Sequence, residues 1–154
     1  MNAPILAIDP GLTCAWATSA GDVGSVVLDR IDYGRAVAGW WNYLADLFST
    51  VRPALVVIER PFFVTRLRDA DITSALYLSC HAAAWQHDIP RREYTAAAIR
   101  KAIMGRARGC TDRQRIEAVR RLGYDPASDH EADALLLLEH HRRQAHAEIE
   151  GNAT

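Results

Sequence analysis

Three groups of acidic side chains sit where an apolar stretch of the chain begins or ends, and together they suggest one chemistry. Asp9 closes the run Ile5–Ile8 and precedes Pro10-Gly11. Glu59 closes Leu55-Val56-Val57-Ile58 and precedes Arg60-Pro61. A third cluster, Asp129-His130-Glu131-Ala132-Asp133, opens a leucine-rich stretch near the C-terminus. Asp133, followed by Ala134 and four leucines, lies beside core positions, where a carboxylate costs free energy unless it is paired or bound to a cation. On a helix His130 and Asp133 share a face, as do Asp129 and Asp133. Two bare carboxylates at the ends of neighbouring strands repel each other unless a cation lies between them. Hard oxygen donors favour Mg²⁺ or Mn²⁺ over Zn²⁺. Two such ions about 4 Å apart activate a water and stabilise the leaving oxygen in phosphodiester hydrolysis. Each residue also has a plain structural role open to it. Asp9 can start a turn, Glu59 can join a surface ion pair, and Asp129 and Glu131 can cap a helix. His130, taken alone, reads as an exposed imidazole.

The elements that must position these groups follow from periodicity. Ile5–Ile8 reads as a central strand, Cys14–Ser19 as a second and Val23–Ile31 as a third, with a hairpin turn at Gly21-Asp22. A β-meander therefore opens the chain. Val37, Trp40, Trp41, Leu44, Leu47, Phe48 and Val51 recur at helical spacing before Pro53. Leu55–Ile58, reached through that helix, is expected to run parallel to the first strand. Arg60–Arg68 reads as a loop, and Ile72, Ala75, Leu76, Ser79 and Ala83 give a helix with a small-residue face. Pro90–Tyr94 is a short strand. Thr95 caps a helix that Gly105 ends, and Arg106–Cys110 is a basic loop. Thr111-Asp112-Arg113-Gln114 and Ser128-Asp129-His130-Glu131 each match a capping box. The last helix runs toward His146, and residues 148–154 are expected to form a flexible tail behind a single domain of residues 1–147. Strands, then helix–strand alternation, then helices define an α/β layered domain with a mixed sheet. Asp9 and Glu59 then share the strand-end edge at which open α/β sheets bind ligands.

Bulk properties set the frame. At 154 residues, 49% hydrophobic and 24% charged, the chain is one soluble domain able to bury a core without disulfides. Cys14, Cys80 and Cys110 are widely spaced and read as reduced thiols of a cytoplasmic protein. No signal peptide or membrane span is evident. The net charge is −1, but ten basic residues lie between Arg91 and Arg121 against the acids Glu93, Asp112 and Glu117. Such polarity fits a face for a polyanion, although a solvated helical face has the same composition.

At this point the chain resembles a known family. Ala7-Ile8-Asp9-Pro10-Gly11-Leu12, Val57-Ile58-Glu59 with the following Phe62, and His130-Glu131-Ala132-Asp133-Ala134-Leu135 are similar to the signature blocks of RuvC-type Holliday junction resolvases. The blocks occur in the right order over nearly the whole chain. Ile99–Gly105 also resembles the family's basic helix. The resemblance implies an RNase H-like fold with a mixed five-stranded sheet flanked by helices. It implies catalytic, metal-holding side chains at Asp9, Glu59, His130 and Asp133, with two Mg²⁺ ions and Mn²⁺ able to substitute. His130 stands where the family carries Asp or His, as ligand or as general base, and Asp129 is a substitute one position earlier. Phe62 matches an aromatic able to stack on an unpaired base near the junction centre; packing in the core or in a dimer is its alternative. The family's lysine has no clean counterpart: Arg113 aligns with it if the loop Arg106–Cys110 is about two residues longer, and the loop's second glycine is missing. Arg keeps the charge but cannot lose its proton. A homodimer is implied, which suits paired nicking of a two-fold symmetric four-way junction, and the helix around Ile72–Ala83 is the candidate interface. Arg66, Arg68, Arg100, Lys101, Arg106, Arg108 and Arg113 are the candidate phosphate contacts.

Two other readings compete. One keeps the fold and the branched-DNA binding but not the cleavage, because the loop after Gly105 has diverged. The other is a phosphotransferase of the actin and sugar-kinase type, whose first phosphate loop also reads Asp-x-Gly-x-Thr, as Asp9–Thr13 does. It requires a second domain for which 154 residues leave no room.

Overall fold

The computed structural model describes residues 3–61 and 67–151, without the side chains of 67–69. Ten elements follow one another: β1 (Ile5–Asp9), β2 (Thr13–Thr18), β3 (Val23–Val27), α1 (Tyr33–Val51), β4 (Leu55–Arg60), α2 (Leu67–Gln86), β5 (Arg91–Thr95), α3 (Ala96–Met104), α4 (Asp112–Arg121) and α5 (Asp129–Gly151). The five strands form one mixed sheet in the order β3-β2-β1-β4-β5. The meander β1-β2-β3 is antiparallel, while β4 and β5 add in parallel on the other side of β1. The expected α/β architecture is thus the observed one.

Strand alternation divides the core in two. Leu6, Ile8, Cys14, Val56 and Ile58 face α1 and α2. Ala7, Ala15, Ala17 and Val57 face α3, α4 and α5. Asp9 follows Ala7 by two residues, and Glu59 follows Val57 by two. Both acids therefore fall on the α5 side of the sheet, at the strand ends. Three alanines on β1 and β2 leave room for α5 to lie close. Every residue from Glu131 to Leu138 is buried, so this part of α5 is enclosed by the sheet on one side and by α3 and α4 on the other.

Local chemistry sets the element ends. β3 stops at Val27 rather than Ile31 because Asp29 Oδ1 accepts the N–H groups of Ile31 and Asp32 and turns the chain. Asp32 then caps α1, which begins four residues before the expected Val37. α2 begins at Leu67, inside the stretch expected to be loop. β5 is shifted one residue, to Arg91–Thr95. Thr95 caps α3, and Gly105 ends it at φ 75°, a left-handed conformation that suits glycine. Thr111 and Gln114 form the expected capping box of α4.

The second capping box is only half formed. Ser128 Oγ accepts the Glu131 N–H, but the Glu131 carboxylate accepts the Ala127 N–H at 2.8 Å instead of that of Ser128. At its far end α5 stays helical through Gly151, past the expected start of a tail at Glu148, and Glu148 pairs with Arg92 at 3.4 Å. Cys14, Cys80 and Cys110 are free thiols. Among the described residues no helix is long and apolar enough to cross a membrane.

Candidate functional site

β1 and β4 pair in parallel with Ile8 opposite Ile58, so Asp9 and Glu59 come one step later on neighbouring strands. Each keeps part of its surface accessible, yet protein surrounds it at the longer range that governs its charge. Burial, reinforced by Asp133, pushes the Asp9 carboxyl up from its ordinary 3.8 to about 7. Burial, reinforced by Asp9 and Asp133, holds Glu59 well above the usual carboxylate range. Asp133, buried on the first turns of α5, is raised by burial as well, against the opposing pull of Arg115 and Arg100. Asp129 acts on Asp9 and Asp133, and His130 acts on Asp133. Residues scattered from position 9 to position 133 thus share one electrostatic environment.

Two arginines enter this cluster. Arg100 of α3 places Nη2 4.0 Å from Asp133 Oδ2. Arg115 of α4 is 9% exposed and reaches several partners at once. Its Nε lies 2.9 Å from Asp133 Oδ1. Its Nη2 donates to Asp112 Oδ1 at 2.9 Å and to Asp129 Oδ2 at 3.3 Å, and its Nη1 donates to the Cys110 carbonyl at 3.4 Å. The Nε contact is ionic only: among the described residues no acceptor stands in line with that N–H.

The structure therefore puts Arg115, not Arg113, among the acids. Arg113 points outward, its side chain 88% exposed, and pairs with Glu117 at 2.9 Å. The register of α4 explains the exchange. The capping box starts the helix at Asp112, and Arg115 lies four residues before buried Val119, on the inner face. Arg100, expected on a phosphate-binding surface, is half-buried beside Asp133. Lys101, Arg106 and Arg108 are exposed. Arg106 also borders a cleft of about 380 Å³ with Arg121 and Arg143. Phe62 and Arg66, and the side chain of Arg68, lie outside the described residues.

The donor set is all oxygen at Asp9, Glu59, Asp129 and Asp133, with an imidazole at His130. That is the chemistry of a site for a hard divalent cation. Cys14 lies within electrostatic reach of Asp9, but burial pushes its thiol up to about 12 and it donates to the Gly11 carbonyl, so it remains a protonated bystander. Among the described residues no three such side chains are drawn together into a finished metal cage. In this arrangement Arg115 supplies the positive charge next to Asp133.

A five-stranded mixed sheet in this order, with acids at the ends of β1 and β4 and at the start of the long helix crossing them, is the RNase H-like fold. The solved structures it resembles make the comparison particular. Thermus thermophilus RuvC in complex with a Holliday junction substrate matches at TM-score 0.77 and 19% identity, over 94% of this chain and 96% of that one. A second structure of Thermus thermophilus RuvC matches at TM-score 0.71 and 20% identity, over the same shares. The yeast mitochondrial Holliday junction resolvase Ydc2 matches at TM-score 0.58 and 14% identity, over 88% of this chain and 77% of that one. No protein-family model and no curated protein sequence matches the chain.

Proposed function

We propose that the protein is a structure-selective endodeoxyribonuclease that resolves four-way DNA junctions by metal-dependent phosphodiester hydrolysis. What supports this reading is the mutual electrostatic influence of Asp9, Glu59 and Asp133, on two strand ends and the helix that crosses them, with exposed arginines and a lysine on α3 and the loop after it. Its support is the likeness in fold to a RuvC bound to a Holliday junction substrate. Asp9, Glu59, Asp133 and His130 would hold Mg²⁺, with Mn²⁺ as a substitute. When bound, the metal lowers the pKa of a water and offsets charge on the leaving oxygen. His130, at the helix start, serves either as a ligand of that metal or, left unligated, as the base that takes up the proton of the attacking water at a ring nitrogen. Arg100 would meet the phosphate, and Lys101, Arg106, Arg108 and Arg113 would grip the flanking backbone. Burial makes the bare carboxylates costly, so a bound cation that restores their charge would be favoured there.

Paired nicks require two sites related by a two-fold axis, hence a homodimer. The surface suited to self-association is the groove between α1 and α2, about 690 Å³, lined by Val37, Trp41, Ile72 and Ala75. It adjoins an exposed stripe on α2 of Leu78, Ala82 and Trp85.

The second reading, a junction-binding module that does not cleave, draws on the ion pair of Arg115 with Asp133. A nicking assay on a labelled four-way junction, with linear duplex as control and Mg²⁺ or chelator added, separates the two. Mg²⁺-dependent symmetric nicks support the nuclease. Tight junction binding with no nicks in Mg²⁺ or Mn²⁺ supports the binding module.

A further inference from the structure

The guanidinium of Arg115 does what a cation would do at the outer half of the acidic cluster. Asp129 and Asp133 lie one turn apart on the same face of α5, and Arg115 contacts both, at 3.3 Å and 2.9 Å. Its planar fork lets one side chain span two carboxylates, which the point charge of a lysine does poorly. Arg115 is held at Asp112 as well, at 2.9 Å, so its fork is fixed against the two acids of α5. The Arg115 Nε contact is ionic without a hydrogen bond in line, so it can be exchanged for a better acceptor such as a phosphate oxygen.

We propose that Arg115 takes the place of one divalent ion in the DNA-free protein. The free chain then holds a single ion, at Asp9 and Glu59, while the guanidinium keeps Asp129 and Asp133 closed to a second. Incoming phosphate draws the guanidinium away and opens that pair. This rests on the nuclease reading above and adds to it an order of assembly in which the second cation follows the substrate.

The test is calorimetric titration of the full-length, DNA-free chain with Mn²⁺, alongside Arg115→Gln and Arg115→Lys, with folding checked by circular dichroism. The expected result is one ion per wild-type chain. Arg115→Gln is expected to gain a second ion or to bind the first at least tenfold more tightly. Arg115→Lys, which keeps the charge but loses the fork, is expected to fall between them. A wild-type chain that takes two ions without DNA overturns the proposal, as does an Arg115→Gln chain that folds and titrates like wild type. If Arg115→Gln does not fold, the wild-type stoichiometry and the Arg115→Lys titration still decide. Two ions on a chain that nicks junctions overturn this inference alone. No Mn²⁺ binding and no nicking overturn the nuclease reading and this inference together.

Discussion

Asp9 and Glu59 stand on adjacent parallel strands, each one residue past the paired Ile8 and Ile58, and the charge of Asp9 helps hold the Glu59 carboxyl above its usual range. Replacing one acid relieves that repulsion without touching the arginine-rich face. Asp9→Asn is therefore expected to lower junction cleavage by at least a hundredfold while junction affinity in a gel-shift assay stays the same or increases. Unchanged cleavage by this variant would remove Asp9 from the mechanism.

The raised carboxyl of Asp9 makes a signed prediction about pH. Its folded-state pKa, about 7, lies above its ordinary 3.8, so the folded protein binds the proton more tightly than the unfolded chain does. The metal-free protein consequently loses stability as pH rises through that window, and the loss is complete above about pH 7. Asp9→Asn lacks this titration. The difference in Tm between variant and wild type, measured in EDTA, is expected to grow by on the order of 5 °C from pH 5 to pH 8. A difference independent of pH contradicts the assigned burial of the carboxyl.

His130 is only partly buried and acts on Asp133 across one turn of α5. His130→Asp is expected to keep substantial cleavage, within about tenfold of wild type, because a carboxylate serves the same cation. Complete inactivity in the nicking assay, with folding intact, assigns a specific role to the imidazole.

Arg106 and Arg108 are exposed in the loop between α3 and α4 and clear of the acidic cluster. Replacing each by Ala is expected to weaken junction binding uniformly across sequences. The slope of log affinity against log salt should fall by about 1 for each phosphate that the variant no longer neutralises. A salt dependence identical to wild type places the DNA elsewhere.

Leu78, 59% exposed, leads the apolar stripe on α2. A carboxylate there opposes burial against a second copy. Leu78→Glu is expected to shift the chain from dimer to monomer in sedimentation velocity and to turn paired nicks into independent single nicks. A dimer that survives the change is built on another face.

How much of this was legible in the sequence depended on whether the signal was local. Asp9 and Glu59 were visible because an apolar run ending in an acid is a short-range pattern, and the sheet needed only parallel pairing to bring them together. Thr111 and Gln114 were visible for the same reason, as a capping box spans four residues. Arg115 was missed because an arginine in a basic stretch reads as surface, and a motif alignment pointed two positions earlier. The signal was its spacing of four from Val119, which puts it on the inner face of α4. The end of β3 was missed because the Asx bonds of Asp29 overrode the apolar pattern through Leu28 and Ile31. The Glu131 carboxylate turned to Ala127 for a reason no local pattern holds: Ser25, on β3, is its other neighbour, at 3.5 Å.

Ala7, Ala15 and Ala17 carry a consequence beyond packing. They pack in the layer between the sheet and α5, the helix that carries Asp133. Enlarging one of them to valine or leucine would lift the helix by the width of the added methyls and widen the separation among the acids. The proposed site would thus depend partly on side chains that have no chemistry of their own.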